Sequence, residues 1–171
     1  MENHNFTLTV TFKQAPAAVF KAILNPRAWW SEEIVGFTEN AGDIFDYHYE
    51  DIHSCKIKLA QVIPDKKVVW RVLENYFKPG IFEVKAGDKT EWVNTNVIFD
   101  ISQKDGMTEL VFTHEGLVPE YDCYDICVNG WTHYIKTSIY NLITTGVGQP
   151  NATEKPMTAD EERIKAALSN N

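Results

Sequence analysis

A long helical run near the end of the chain, about Tyr121 to Thr145, follows seven strand-like runs. That order constrains the fold more than any other feature, because a long helix laid across an antiparallel sheet can leave a hollow between the layers. The helical run places Cys127, Trp131, Ile135, Ser138 and Leu142 at helical spacing, one face of a 3.6-residue repeat. Gly130 stands in its middle. A glycine inside a helix costs about 1 kcal/mol relative to alanine, so this one implies close packing or a bend.

The strand-like runs are read from alternation and from the turns between them. Asn5 to Phe12 alternates Phe6, Leu8, Val10 and Phe12 with threonines. Ala15-Pro16 opens a short helix with Ala17, Val19, Phe20 and Ile23 on its apolar side, and Asn25-Pro26 stops it. A second helical turn around Arg27 to Glu32 holds Trp29 and Trp30. Further strands are expected at about Ile34 to Thr38, Asp43 to Tyr49, His53 to Ile63, Val68 to Leu73, Glu91 to Ile101 and Thr108 to Gly116. Asp105-Gly106 is the strongest hairpin signal. Glu74 to Thr90 reads as an irregular loop with a short strand at Ile81 to Val84. The class is α+β, a curved antiparallel sheet of six to seven strands wrapped around one helix, with two short helices after the first strand.

Residues 1–146 are expected to form one domain. Residues 147–171 read as a linker, Gly148-Gln149-Pro150-Asn151, followed by a short polar helix opened by the capping box Thr158-Ala159-Asp160-Glu161.

Charge and composition exclude several functions. The formal net charge is -8, with no basic stripe to meet a phosphate backbone or an anionic membrane surface. No apolar run approaches the ~18 residues that span a bilayer. The first residues lack the basic and apolar regions of a signal peptide, and Cys55, Cys123 and Cys127 are an odd, patternless set. A cytoplasmic location is the resulting expectation, and the sequon Asn151-Ala152-Thr153 carries no meaning there.

Strand alternation selects the side chains that face the hollow. Phe45, Tyr47 and Tyr49 share one face, Cys55, Ile57 and Leu59 another set, Val97, Phe99 and Ile101 a third, and Leu110, Phe112 and His114 a fourth. From the helices come Trp30, Cys127, Trp131 and Ile135. The candidate ligand contacts are Trp30, Phe45, Tyr47, Tyr49, Ile57, Phe99, Phe112, His114, Cys127, Trp131 and Ile135. Apolar walls with a few polar handles, here the tyrosines and His114, are the usual make-up of a small-molecule site. Each has a plainer reading: His114 as a satisfied structural histidine, Trp29-Trp30 as core packing, the tyrosines as rim groups bonded to water.

Catalytic and metal motifs are nearly absent. Cys123 and Cys127 share a helix face, and with His114 or His133 they would be a zinc set only in outline. No phosphate loop, dinucleotide fingerprint or nucleophile elbow occurs. No metal and no cofactor are expected. His114 is the sole candidate for a general base.

Three segments together carry a family resemblance. Val19-Phe20-Lys21-Ala22-Ile23, leading to Pro26 and Trp29-Trp30, resembles the opening of the heat-shock protein 90 ATPase activator-like group. Thr108 to Gly116 resembles its penultimate element, and Gly130-Trp131 with Ile135, Ser138 and Leu142 its C-terminal helix. The group falls within the START and birch-allergen-like superfamily. The resemblance spans roughly Phe6 to Thr145 and implies a helix-grip fold with a cavity. It implies binding of a small apolar or amphipathic ligand, with a cyclase- or hydrolase-type enzyme or a chaperone-associated module as alternatives. Ser138 stands where that pattern has an aliphatic residue, which would leave extra space. The tail after Gly146 lies outside the pattern.

Overall fold

The computed structural model describes residues 5–78, 92–119 and 124–151, with Arg163 and Ala167. The expected strand at 81–84, the first turn of the long helix with Cys123, and most of the tail lie outside the described residues. Among the described residues, seven antiparallel strands form one sheet: β1 (Asn5–Phe12), β2 (Val35–Gly36), β3 (Ile44–Tyr49), β4 (His53–Ile63), β5 (Lys67–Phe77), β6 (Asn96–Lys104) and β7 (Met107–Glu115). Their order across the sheet is β1-β7-β6-β5-β4-β3-β2. The short helix α1 (Pro16–Ile23) and a 3-10 turn (Pro26–Ala28) follow β1, each with proline in its first turn.

The long helix has three parts. It starts as α2 (Tyr124–Thr132), widens into a π-helical stretch (His133–Ile139), and closes as α3 (Tyr140–Thr145). Gly146 ends it in the left-handed conformation, its N–H returning to the Leu142 carbonyl. Gly130 does not mark close packing. A β-carbon there would meet only a Tyr134 ring carbon, at 4.0 Å.

Helix and sheet close on an apolar layer. Phe45, Ile57, Leu59, Val68, Val72, Phe99 and Phe112 rise from the strands, and Trp131, Ile135 and Ile139 descend from the helix. Two bulges shape the sheet: one at Leu73 between Val72 and Glu74, the other at Ala60. The first reverses the alternation of β5, so that Val72 and then Asn75 and Phe77 all point inward. The strand therefore runs four residues beyond Leu73, where strict alternation ends it. β6 begins later than expected, because Trp92 and Asn94 take left-handed backbone values, φ 74° and 63°, in a turn. No helix among the described residues is long and apolar enough to cross a membrane.

Residues 147–151 are docked against the body, where a linker was expected. Gly148 lies against Ala28, whose carbonyl a β-carbon would strike, and 3.2 Å would separate that carbon from the Ser138 carbonyl. Ser138 Oγ donates to the Trp29 carbonyl at 2.6 Å and accepts the Gln149 N–H at 2.8 Å. The hydroxyl is thus engaged in anchoring this strap and does not enlarge a cavity. Asn151 forms a parallel bridge with Ser31: its N–H donates to the Trp30 carbonyl, and its carbonyl accepts from Glu32 N. Asn151 is 2% exposed, so the glycan-accepting nitrogen of the sequon is inaccessible in the folded chain.

Truncation after Gly146 removes these bonds and strands the partner groups on Trp29, Trp30 and Ser138. At about 1 kcal/mol per bond, and more for groups left buried, the loss is roughly 3–5 kcal/mol. A chain ending at Asn151 retains them. Urea denaturation of the two truncations is expected to separate their midpoints clearly; coincident curves would show that the strap contributes nothing.

Candidate functional site

Most of the side chains selected by alternation meet between sheet and helix, and they pack on one another. Trp30 is the hub. Its ring stacks on Tyr47 at 4.0 Å and on Trp70 at 5.4 Å, and lies 5.2 Å from Trp131 and 6.5 Å from Phe45. Phe112 sits between Trp131, at 4.7 Å, and Phe99, at 5.4 Å. Ile57, Cys127 and Ile135 complete the same buried cluster, and Tyr49 is half-buried at its margin. The middle of the layer is therefore occupied by the protein's own rings.

A second region, toward the end of the layer where β4, β5 and the turn at Trp92 meet, is aromatic and polar at once. His114 is fully buried, and both of its ring nitrogens are engaged. Trp131 Nε1–H donates to Nδ1 at 3.1 Å, which fixes the tautomer: Nε2 carries the proton and donates to Thr95 Oγ1 at 2.9 Å. Thr95 Oγ1 in turn donates to the Trp92 carbonyl. Burial, with a smaller contribution from His53, holds the His114 pKa down to about 3. A base whose lone pair is already taken and whose protonated form is so disfavoured is poorly suited to accepting a substrate proton.

His53, on the other side of Trp92, was not among the residues selected from sequence. Its Nε2 bonds Asn75 Oδ1 at 2.7 Å, its ring stacks on Phe77 at 4.1 Å, and burial lowers its pKa to about 4. Trp92 is 4% exposed and stacked on Trp131 at 5.7 Å. Its Nε1–H is buried with no acceptor among the described residues. Leaving such a donor unsatisfied typically costs about 1–3 kcal/mol.

Tyr47 joins this region to the strap. Its hydroxyl interacts with Tyr134 of the π stretch and receives a long, 3.5 Å contact from Asn151 Nδ2. Burial, then Tyr134 and Cys55, raise its pKa well above the ordinary value, so it stays a neutral phenol. Burial also raises the Cys55 thiol, assisted by Asp46, and keeps it from being a reactive thiolate. Among the described residues no three of His, Cys, Asp or Glu are grouped to hold a metal ion, and the Cys123–Cys127 pair lies partly outside them.

A groove of about 680 Å³ opens elsewhere, between α1 and α3, lined by Phe20, Lys21, Leu24, Arg27, Leu142 and Ile143 among others. None of the residues selected from sequence borders it. Arg27 there is committed to the Ile34 and Gly36 carbonyls.

Of the site residues not selected from sequence, only His53 had a signal. His53 shares period with Cys55 and Ile57, so alternation alone would have turned it inward. Asn75 and Trp92 had none: a bulge precedes one, and a left-handed turn displaces the other.

No protein-family model matches the sequence, nor does any curated protein. Solved structures do match in fold. The chain is similar to the Aha1 dimer protein of Colwellia psychrerythraea, with TM-score 0.66 and 21% identity over 84% of this chain and 98% of that one. It is also similar to CalU16 of Micromonospora echinospora, with TM-score 0.56 and 12% identity over 96% and 86%. DynU16, from the dynemicin biosynthetic locus, aligns with TM-score 0.59 and 14% identity over 94% of this chain and 60% of that one. The architecture is the helix-grip fold, a curved sheet closed around a long C-terminal helix, as the sequence resemblance implies.

The two buried imidazoles give stability a definite pH dependence. Each has a folded pKa below its unfolded value near 6.5, so the unfolded chain binds more protons and stability drops as pH is lowered. The loss begins near pH 6.5 and continues toward the folded values, about 4 for His53 and about 3 for His114. From pH 7 to pH 5 each contributes roughly 2 kcal/mol of destabilisation. Urea titrations at the two pH values measure the sum, and His53→Gln is expected to remove about half of the difference. An unchanged difference in that variant would mean His53 is not buried neutral.

Proposed function

We propose that the protein binds a small apolar or amphipathic molecule between the sheet and the long helix. The observation that carries this reading is the gathering of Tyr47, His53, Trp92 and His114, all buried, at one end of an otherwise apolar aromatic layer. A pure packing core has little reason to hold four polar ring groups together, whereas binding sites combine apolar walls with a few convergent polar groups. The π-helical stretch supports the same reading. Such widened turns are uncommon and frequent at functional sites, and this one supplies Tyr134 to Tyr47 and Ile135 to the buried cluster.

In this reading Trp131, Phe77, Trp92 and Tyr47 form the walls near the polar end. Trp30, Phe45, Ile57, Phe99, Phe112, Cys127 and Ile135 form the packed floor and roof behind them. Apolar contact supplies most of the affinity, at about 25 cal/mol for each Å² removed from water. An enzyme reading that uses His114 as base gains nothing from an imidazole with both nitrogens engaged. A chaperone-partner reading rests on the fold shared with Aha1 at 21% identity, and no residue of this chain carries it.

Native mass spectrometry of the protein purified from its own host is expected to show a stoichiometric apolar adduct, released by organic extraction. Tyr47→Phe should weaken rebinding of the extracted molecule about 2- to 12-fold, the range for one lost hydrogen bond. A bare polypeptide mass, persisting after incubation with a small-molecule extract of the host, would overturn the reading.

A further inference from the structure

The polar end of the layer carries a specific hydrogen-bonding demand. Trp92 Nε1–H is a buried donor with no acceptor among the described residues. Two imidazoles stand perpendicular to its ring, His114 at 4.7 Å and His53 at 4.9 Å between centroids. His114 offers nothing, because Trp131 and Thr95 take both of its nitrogens. His53 is different. Its Nε2 faces the Asn75 Oδ1 acceptor, so Nε2 carries the proton and Nδ1 keeps a bare lone pair. No hydrogen bond to Nδ1 is made among the described residues. Among the described residues, this ring pair therefore presents a buried donor without an acceptor, on Trp92, and a lone pair that takes no hydrogen bond, on His53.

A hydroxyl is the smallest group that answers both. Its oxygen accepts from Trp92 Nε1–H, and its proton goes to His53 Nδ1. A carboxylate could accept the first bond but has no proton for the second. An ammonium has protons but no lone pair for the indole. Burial keeps both imidazoles neutral, so no cation waits here for an anion.

We propose that Trp92 and His53 form the polar end of the ligand site and select a molecule bearing a neutral hydroxyl on an apolar body. Phe77, stacked on His53 at 4.1 Å, and Trp131, parallel to Trp92 at 5.7 Å, hold the apolar part. The assignment rests on the binder reading above and adds the chemical class of the ligand. His53 is in period with Cys55 and Ile57, whereas Trp92 is placed by a left-handed turn and Asn75, its partner, by the bulge before it.

The test uses the full-length wild-type chain, ¹⁵N-labelled, with three probes of like shape: 2-naphthol, 2-methylnaphthalene and 2-naphthoate. The Trp92 indole N–H resonance is assigned by through-bond experiments, so the assignment needs no variant. The expected result is 2-naphthol binding at least about tenfold more tightly than either analogue, with a downfield shift of the Trp92 indole proton on binding. His53→Leu is expected to abolish the tenfold preference of 2-naphthol over 2-methylnaphthalene. Equal affinities, a preference for 2-naphthoate, or 2-naphthol binding that leaves the Trp92 resonance in place would each overturn the hydroxyl assignment while the binder reading stands. No binding by any of the three at their solubility limits would overturn both.

Discussion

The tandem tryptophans after Pro26 hold the structure together. The Trp29 indole N–H donates to the Ala22 carbonyl, its own carbonyl accepts from Ser138, and its ring stacks on Trp70 of β5 at 6.0 Å. Trp30 stacks on Tyr47 of β3 and leans on Trp131 of α2, while its carbonyl accepts from Asn151. Two consecutive residues thus join α1, the sheet, the long helix and the strap. A buried indole removes on the order of 150–250 Å² from water, worth roughly 4–6 kcal/mol at the usual area coefficient before ordering entropy is subtracted. Replacing either ring would leave three elements without a common surface. The 3-10 turn that presents the pair matters as much as the rings, since it aims adjacent side chains into one layer.

The packed middle and the polar end obey different rules. In the middle, tryptophan, phenylalanine and aliphatic groups interlock with few polar atoms, and density is its own stabilisation. At the polar end, desolvated imidazoles, an unpartnered indole and a left-handed tryptophan coexist within a few ring widths. Each of these is costly in isolation. Their coincidence in one place, where the sheet meets the turn at Trp92, is the pattern expected where a fold gives up some stability for recognition.

The sheet was legible in the sequence because its strands are half-buried and alternate cleanly. β1, β4 and β7 follow from Phe6 to Phe12, from Cys55 to Leu59 and from Leu110 to His114, and Asp105-Gly106 closes the last hairpin. Alternation failed where geometry broke period two. The bulge at Leu73 shifts Asn75 and Phe77 inward, and the paired left-handed residues Trp92 and Asn94 delay β6. The helix was legible as one element, but its widened stretch was not. A spacing of 3.6 links Trp131, Ile135, Ser138 and Leu142, whereas the π stretch buries Ile139 as well. The strap was invisible for another reason. Gly-Gln-Pro-Asn composition looks like a connector, and only the bonds from Ser31, Ser138 and Trp30 show it docked. The candidate site shared this fate in part: its walls, Tyr47 and His114 were read from period, whereas Asn75 and Trp92 lie where a bulge and a left-handed turn break it.

Tyr47 couples the two halves of this picture. Its ring lies 4.0 Å from Trp30 and 5.3 Å from His53, while its hydroxyl reaches Tyr134 and, at 3.5 Å, Asn151. One side chain therefore touches the packed hub, the polar end, the π stretch and the strap. Groups in such direct contact do not contribute independently. On the proposed reading, a molecule seated against His53 would meet the Tyr47 ring, whose hydroxyl is the group that contacts the strap at Asn151. The neutral phenol suits that position, because it can give its proton to one neighbour and accept from another without bringing charge into the layer. The packed hub, the polar end and the strap of residues 147–151 are in this sense joined through one side chain.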